Sequence, residues 1–200
     1  MADAAATGTP LLAALLLLSA AAAIVVPLLR PAALARTVTM VAMLAVLALA
    51  LRIFTGFDGS VGAPAVAWAW TPFAWQPLAG LRFGVDGYNL YLLLLTALLF
   101  PVVLLATWRT PPAASRLYLG LLLALQAGLL GTFAAQNLLL FFVFWEAVLI
   151  PMLLLIVVYG GGERRRAAFT FFLVTMAGSV LLLAAVILLG ALHWHETGAW

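Results

Sequence analysis

The chain has 200 residues, of which 68% are hydrophobic and only 8% are charged, and its formal net charge is +3 at pH 7. Because a soluble domain carries about a quarter charged residues, this composition excludes an ordinary soluble protein and indicates an integral membrane protein. The chain has no cysteine, which excludes disulfides, thiolate zinc sites and iron–sulfur ligation by this chain, and its basic residues are arginines between hydrophobic segments, which speaks against a nucleic-acid partner.

Six hydrophobic segments are long enough to cross the lipid bilayer as helices, which takes about 20 apolar residues each. The first resembles a signal peptide, but residues 1–10 contain Asp3 and no arginine, so we expect a retained helix. The predicted fold is therefore all-α and integral to the membrane, with transmembrane helices at residues 10–29, 37–54, 88–108, 117–135, 137–160 and 167–192.

The distribution of arginine predicts the orientation of these helices. On one side of the membrane the short loops hold Arg30, Arg36, Arg109, Arg116, Arg164, Arg165 and Arg166. The opposite side holds only Arg52 and Arg82. Since arginine-rich loops stay in the cytoplasm, we expect both chain termini on the outer side. The arginine-only, alanine-rich composition is typical of a GC-rich bacterial genome, which predicts the bacterial inner membrane.

The long connection at residues 55–87 is the one sizeable extramembrane segment of this prediction. Trp68, Trp70 and Trp75 lie in it among prolines, and amphipathic aromatic rings favour the headgroup layer, so we expect it to lie along the outer surface. Asp86, just before the third helix, has the chemistry of an N-cap. We expect an N-terminal part at residues 1–116 and a second part, helices 4–6, at 117–200.

The fourth segment carries a row of small residues that lets helices approach closely. Its middle amide, Gln126, is expected to hydrogen-bond across helices, with membership of a water chain as the alternative. About two residues around Gln136 join it to the fifth segment, so these helices must be antiparallel neighbours. The small residues are Gly120, Ala124, Gly128, Gly131 and Thr132.

Glu146 is the main candidate functional residue, because it lies near the middle of the fifth hydrophobic segment. A carboxylate at membrane depth is costly and by default marks an ion or proton path. Pro151 cannot donate a backbone hydrogen bond and leaves the carbonyl of Ala147 free, which we expect to stand beside Glu146 and to help hold water. The alternative is a permanently protonated Glu146 with a purely structural hydrogen bond.

No cation in the sequence is placed to neutralise Glu146. Lysine is absent, and every arginine lies in a loop or at a helix end. The nearest cluster along the chain, at 164–166, is about 25 Å away at 1.5 Å per helical residue. The counter-charge of Glu146 is therefore a proton, belongs to another chain, or is missing.

The loop at 160–166 and the sixth segment carry the remaining polar residues. The three glycines from Gly160 are expected to end the fifth helix, and Glu163 suits the positive end of the sixth. Thr175 and Ser179 share a face of the sixth helix, and we expect the hydroxyls of this helix to bond their own backbone. His193 and His195 project to different sides of a helix, so no metal site is expected.

Four strings carry a likeness to a known family: Phe-Gly-Val-Asp-Gly at 83–87, Phe-Trp-Glu-Ala-Val-Leu-Ile-Pro-Met at 144–152, Gly-Gly-Glu-Arg-Arg at 161–165 and Ala-Gly-Ser at 177–179. In order and spacing they resemble the antiporter-like M subunit of respiratory complex I, the proton-translocating NADH:quinone oxidoreductase. This resemblance implies a membrane-arm subunit of that enzyme, part of an inverted-repeat bundle, with the other complex I membrane subunits as partners. It also implies that NADH, flavin, iron–sulfur clusters and quinone are bound by other subunits.

Within the resemblance, Glu146 corresponds to the helix-5 glutamate that pairs with a helix-7 lysine and helps to move protons. The chemistry and position of Pro151, Gln126 and Thr175 make them its expected supporting residues. The helix-7 lysine has no counterpart here, and Thr170 stands where many members carry another lysine. Two alternatives stay open: a membrane subunit of a cation/proton antiporter or hydrogenase, and a non-transporting fragment.

Overall fold

The structure is a computed structural model that describes residues 2–57, 70–73, 81–110 and 115–197. Each of the six predicted hydrophobic segments forms a helix long and apolar enough to cross a membrane, which confirms the all-α membrane fold. The helices are α1 (Ala2–Val25), extended by the 3-10 turn Val26–Leu28, α2 (Ala32–Gly56), α3 (Asn89–Ala106), α4 (Arg116–Ala134), α5 (Leu138–Tyr159) and α6 (Arg164–Thr197).

Two short strands, which the sequence did not predict, lie in the long connection between α2 and α3. Strand β1 (Trp70–Phe73) pairs antiparallel with β2 (Leu81–Phe83). The Trp70 ring stacks on the Phe83 ring with centroids 5.6 Å apart, so this tryptophan packs on protein. Trp68 and Trp75, which were predicted to lie in the headgroup layer, fall outside the described residues.

Helix α4 is the centre of the fold. It packs against α1, α2 and α3 on one side and against α5 on the other, whereas α6 packs against α5. Two apolar clusters fill the bundle of α1 to α4. The division at residue 116 stays a prediction, because α4 contacts helices on both sides of it.

The row of small residues on α4 lets two different neighbours approach, as predicted from its spacing. A Cβ atom placed on Gly128 would lie 2.6 Å from Val148 of α5, and one on Gly131 would overlap the ring of Phe144. One turn from the start of α4, a Cβ on Gly120 would overlap Pro27 at the end of α1. These close approaches confirm that α4 and α5 are packed neighbours.

A hydrogen-bonded node joins β2, the start of α3 and the α4–α5 turn. The Gly84 carbonyl accepts from the Asn89 side-chain amide at 3.0 Å and from the Gln136 amide at 3.1 Å. One Asp86 carboxylate oxygen accepts from the backbone N–H of Tyr88 at 2.9 Å and of Asn89 at 2.8 Å. Asp86 therefore supplies the predicted capping bonds at the start of α3.

We expect Asp86→Ala to lower the free energy of unfolding by about 1 kcal/mol, because two backbone donors at the start of α3 lose their acceptor. Thermal unfolding in detergent measures the change. Asp86→Asn is the matched control, since an asparagine oxygen accepts the same bonds and asparagine is as good an N-cap. Equal losses in the two variants would contradict the capping role.

Two arginines connect the loops on the arginine-rich side. The Arg36 side chain of α2 donates to the Trp108 carbonyl at 3.1 Å, and its guanidinium carbon lies 5.3 Å from the centroid of the Trp108 ring. Arg116, at the start of α4, donates to the Leu29 carbonyl at 3.1 Å. The α1–α2 and α3–α4 connections therefore lie together, as the alternating topology requires.

Candidate functional site

Glu146 lies near the middle of α5, as the sequence predicted. Its side chain is partly buried, and its Oε1 atom is buried without a hydrogen-bond partner. A carboxyl oxygen removed from water without compensation is unfavourable, and more so when the group is ionised.

Glu146 projects away from α4. Phe144 and Val148 are the α5 residues that meet the α4 glycines, and each is two positions from Glu146. Two helical residues turn by about 200°, so Glu146 occupies the side of α5 opposite this contact. The tight α4–α5 packing thus fixes the rotation of α5 and directs the carboxyl toward the other side.

Gln126 does not share this site. It is two positions from Gly128, and so projects away from α5 into the bundle formed with α1, α2 and α3. The side chain is fully buried, and neither its oxygen nor its nitrogen has a hydrogen-bond partner in the part of the chain that the structure describes. The predicted interhelical hydrogen bond is therefore not formed.

Pro151 and Ala147 face a different space from Glu146. Both line an apolar groove of about 630 Å³ between α1, α4 and α5, whose lining also includes Trp70 and Phe83. Glu146 is absent from the lining of that groove. Ala147 and Pro151 contact this groove and Glu146 does not, so the expected position of the Ala147 carbonyl beside the carboxyl stays a prediction.

The hydroxyls of α6 behave differently from one another. Thr175 donates to the Phe171 carbonyl at 2.7 Å, which confirms the predicted bond to its own backbone. Ser179 is 3% exposed and its Oγ is buried without a partner, so the same prediction was wrong for Ser179. Thr170 is exposed. The sequence analysis named Ser179 only because it shares a helix face with Thr175, and it missed that the Ser179 hydroxyl has no hydrogen-bond partner.

In the part of the chain that the structure describes, no loop arginine forms an ion pair with Glu146. All nine arginines lie in the described ranges, and the ion pair found there joins Arg166 to Glu163 at 3.3 Å, with both side chains exposed. Gly160 follows the last residue of α5, and Gly162 has a φ of +43°, so the glycines end the helix as predicted. Across the described ranges, no cluster of three or more histidine or carboxylate residues is arranged to hold a metal ion.

Comparison with known proteins finds similarity to membrane subunits of oxidoreductases. Residues 135–195 match a family described as NADH:quinone oxidoreductase/Mrp antiporter, transmembrane. The F(420)H(2) dehydrogenase subunit M of Methanosarcina mazei is 33% identical over 53% of this chain. An NAD(P)H-quinone oxidoreductase chain 4 of Nostoc sp. is 43% identical over 37% of this chain.

A solved structure of a related protein has a similar fold. A chain in the structure of respiratory complex I from Thermus thermophilus with bound NADH superimposes with a TM-score of 0.73 and 34% identity, over 88% of this chain and 35% of that one. The matches to the two sequence relatives span 21% and 14% of the relatives' own lengths. The likeness therefore covers the region of Glu146 and Ser179 and only part of each relative.

Proposed function

We propose that this chain, whose residues 135–195 match the NADH:quinone oxidoreductase/Mrp antiporter transmembrane family, is a membrane-arm subunit of a proton-translocating NADH:quinone oxidoreductase. The observation that carries the proposal is the unpaired, buried Oε1 of Glu146 in the middle of a membrane-spanning helix of that family. The test is replacement of Glu146 in the assembled complex, with proton transport and NADH oxidation measured in the same membranes.

The proposed role of Glu146 is to take up and release a proton at membrane depth. Its ionised form requires a nearby positive charge or water, because hydrocarbon solvates neither carboxylate oxygen. None of the nine arginines supplies that charge in the described part of the chain. We therefore propose that the counter-charge of the ionised form comes from a partner subunit.

The electron-transfer steps are proposed to occur on other subunits. The chain has no cysteine to ligate an iron–sulfur cluster. We assign NADH, flavin, iron–sulfur clusters and quinone to partner subunits, and to this chain a share of the proton path. Its partners are then the other membrane subunits of the complex, and its location is the bacterial inner membrane.

The proposed orientation, with both termini outside, predicts the accessibility of introduced cysteines, and the natural chain has no cysteine to interfere. We expect Gly161→Cys, in the arginine-rich α5–α6 loop, to react with a membrane-impermeant maleimide only after the membrane is opened. Gly87→Cys, in the turn before α3, should react in intact cells. Both glycines have open space where a Cβ would stand. The reverse labelling pattern would overturn the orientation.

A second candidate is a subunit of a monovalent cation/proton antiporter, because the matching family also includes the Mrp antiporters. The two functions differ in what drives transport. Inverted vesicles that acidify on addition of NADH, without sodium, support the oxidoreductase. Vesicles in which added sodium dissipates an imposed proton gradient, and in which NADH causes no acidification, support the antiporter.

A further inference from the structure

Two buried oxygen atoms without hydrogen-bond partners lie on adjacent helices, Oε1 of Glu146 on α5 and Oγ of Ser179 on α6. They are at nearly the same depth. At 1.5 Å per residue, Glu146 is about 20 Å from the end of α5 at Tyr159, and Ser179 is about 23 Å from the start of α6 at Arg164. The loop between these helix ends is short, so the two depths correspond.

Ser179 lies on the side of α6 that α5 covers. Ala168, Thr175 and Ser179 are spaced by seven and four residues, which places them on one face of the helix. Ala168 is 1% exposed and Ser179 is 3% exposed, whereas the adjacent Val180 is 60% exposed. Because α6 packs against α5, this covered face is the α5 face.

Glu146 occupies the corresponding side of α5. Its carboxyl projects away from the α4 glycines, and α6 is the other helix that packs on α5 among the described residues. Facing helices pack with axes about 8–10 Å apart, a separation that serine and glutamate side chains together span. The two oxygens are not hydrogen-bonded to each other in this structure, so the bond inferred below requires rotation about the glutamate side-chain torsions.

The hydroxyl of Ser179 is free to make this bond. Five serine and threonine side chains are buried in the described helices, and four of them donate to a carbonyl of their own helix: Ser19, Thr39, Thr96 and Thr132. Ser179 is the exception. Since a buried hydroxyl in a helix normally bonds its own backbone, its unbonded state points to a partner on the neighbouring helix.

We propose that Ser179 is a positioning residue for Glu146, its hydroxyl hydrogen-bonding the glutamate carboxyl at the α5–α6 interface in both protonation states. A hydroxyl donates one hydrogen bond and accepts others, so it donates to the carboxylate and accepts from the carboxylic acid. One rotation of the O–H bond accompanies each proton uptake or release. The proposal deepens the proton-transport role and rests on it for its functional consequence.

The test is infrared difference spectroscopy of the assembled complex in membranes, with the Glu146 carboxyl band identified by its loss in Glu146→Gln. We expect Ser179→Ala to move the carbonyl band of the protonated acid to higher frequency, because the acid O–H loses its hydrogen-bond acceptor. Proton transport per NADH should fall about tenfold, the scale of one hydrogen bond to a charged group. Ser179→Thr should restore both, and Ser179→Cys, whose sulfur is a weaker acceptor, should give an intermediate band.

Thr175→Val is the matched control, one turn away on the same face. Its hydroxyl donates to the Phe171 carbonyl, so its loss should leave the Glu146 band in place. An unchanged band in Ser179→Ala and Ser179→Cys overturns the proposal, and so does an equal shift in Thr175→Val. If Glu146→Gln transports normally, the proposed function fails, while the band shift still decides whether the hydrogen bond exists.

Discussion

Replacing Glu146 with glutamine is expected to reduce NADH-driven proton transport on the order of 10²-fold, the lower end of what a positioned proton-transfer group contributes. Glutamine keeps the size of the side chain and its capacity for hydrogen bonds, but it neither takes up nor releases a proton. The complex should therefore assemble and still oxidise NADH. Acidification of inverted membrane vesicles, followed with a pH-sensitive dye, measures the transport.

Two further variants sharpen this experiment. Glu163→Gln removes a carboxylate that is 78% exposed in the α5–α6 loop, so transport should stay at the wild-type level. Glu146→Asp keeps the carboxyl but shortens its reach by one methylene, and we expect an intermediate rate. Full transport by an assembled Glu146→Gln complex would contradict the proposed role of this residue.

Gly131→Leu is expected to prevent stable accumulation of the subunit. Even a Cβ atom at this position overlaps the Phe144 ring, and that ring is itself held edge-on against Phe83 with centroids 5.5 Å apart. Overpacking of a tight contact typically costs about 1–3 kcal/mol, and a leucine adds three more carbons than the Cβ alone. The amount of subunit in membranes and its melting temperature in detergent measure the effect.

A second substitution tests the cause of this defect. Gly131→Leu combined with Phe144→Ala should recover much of the lost stability, because removal of the ring makes room for the leucine and the two changes are coupled. Gly161→Leu is the matched control, since nothing lies within 4 Å of a Cβ there. If the double variant loses as much free energy of unfolding as the two single variants together, the contact with Phe144 is not the reason that Gly131 is required.

The glycine contacts also bear on the proton site. Gly128 and Gly131 hold α5 against α4 through Val148 and Phe144, and this contact fixes which side of α5 faces away. Glu146 is directed away from α4 as a consequence. The proposed bond to Ser179 therefore depends on small residues of α4 that do not touch either side chain.

Several features could be predicted because they depend on residues close in sequence. The length of each apolar segment determined the six membrane spans and the mid-membrane position of Glu146. The short link around Gln136 determined that α4 and α5 are antiparallel neighbours. Asp86 at the start of α3 and the glycines after Tyr159 set helix ends through bonds made within a few residues.

The tertiary structure alone decided how each helix is rotated. In a membrane the lipid-facing and buried sides of a helix are both apolar, so the periodicity of the sequence does not reveal which side packs on which neighbour. The sequence therefore did not reveal which helices surround Gln126. A bond across helices was expected, but the side chain has no hydrogen-bond partner among the described residues. For the same reason, only the packing of α6 on α5 revealed that Ser179 is buried at the depth of Glu146.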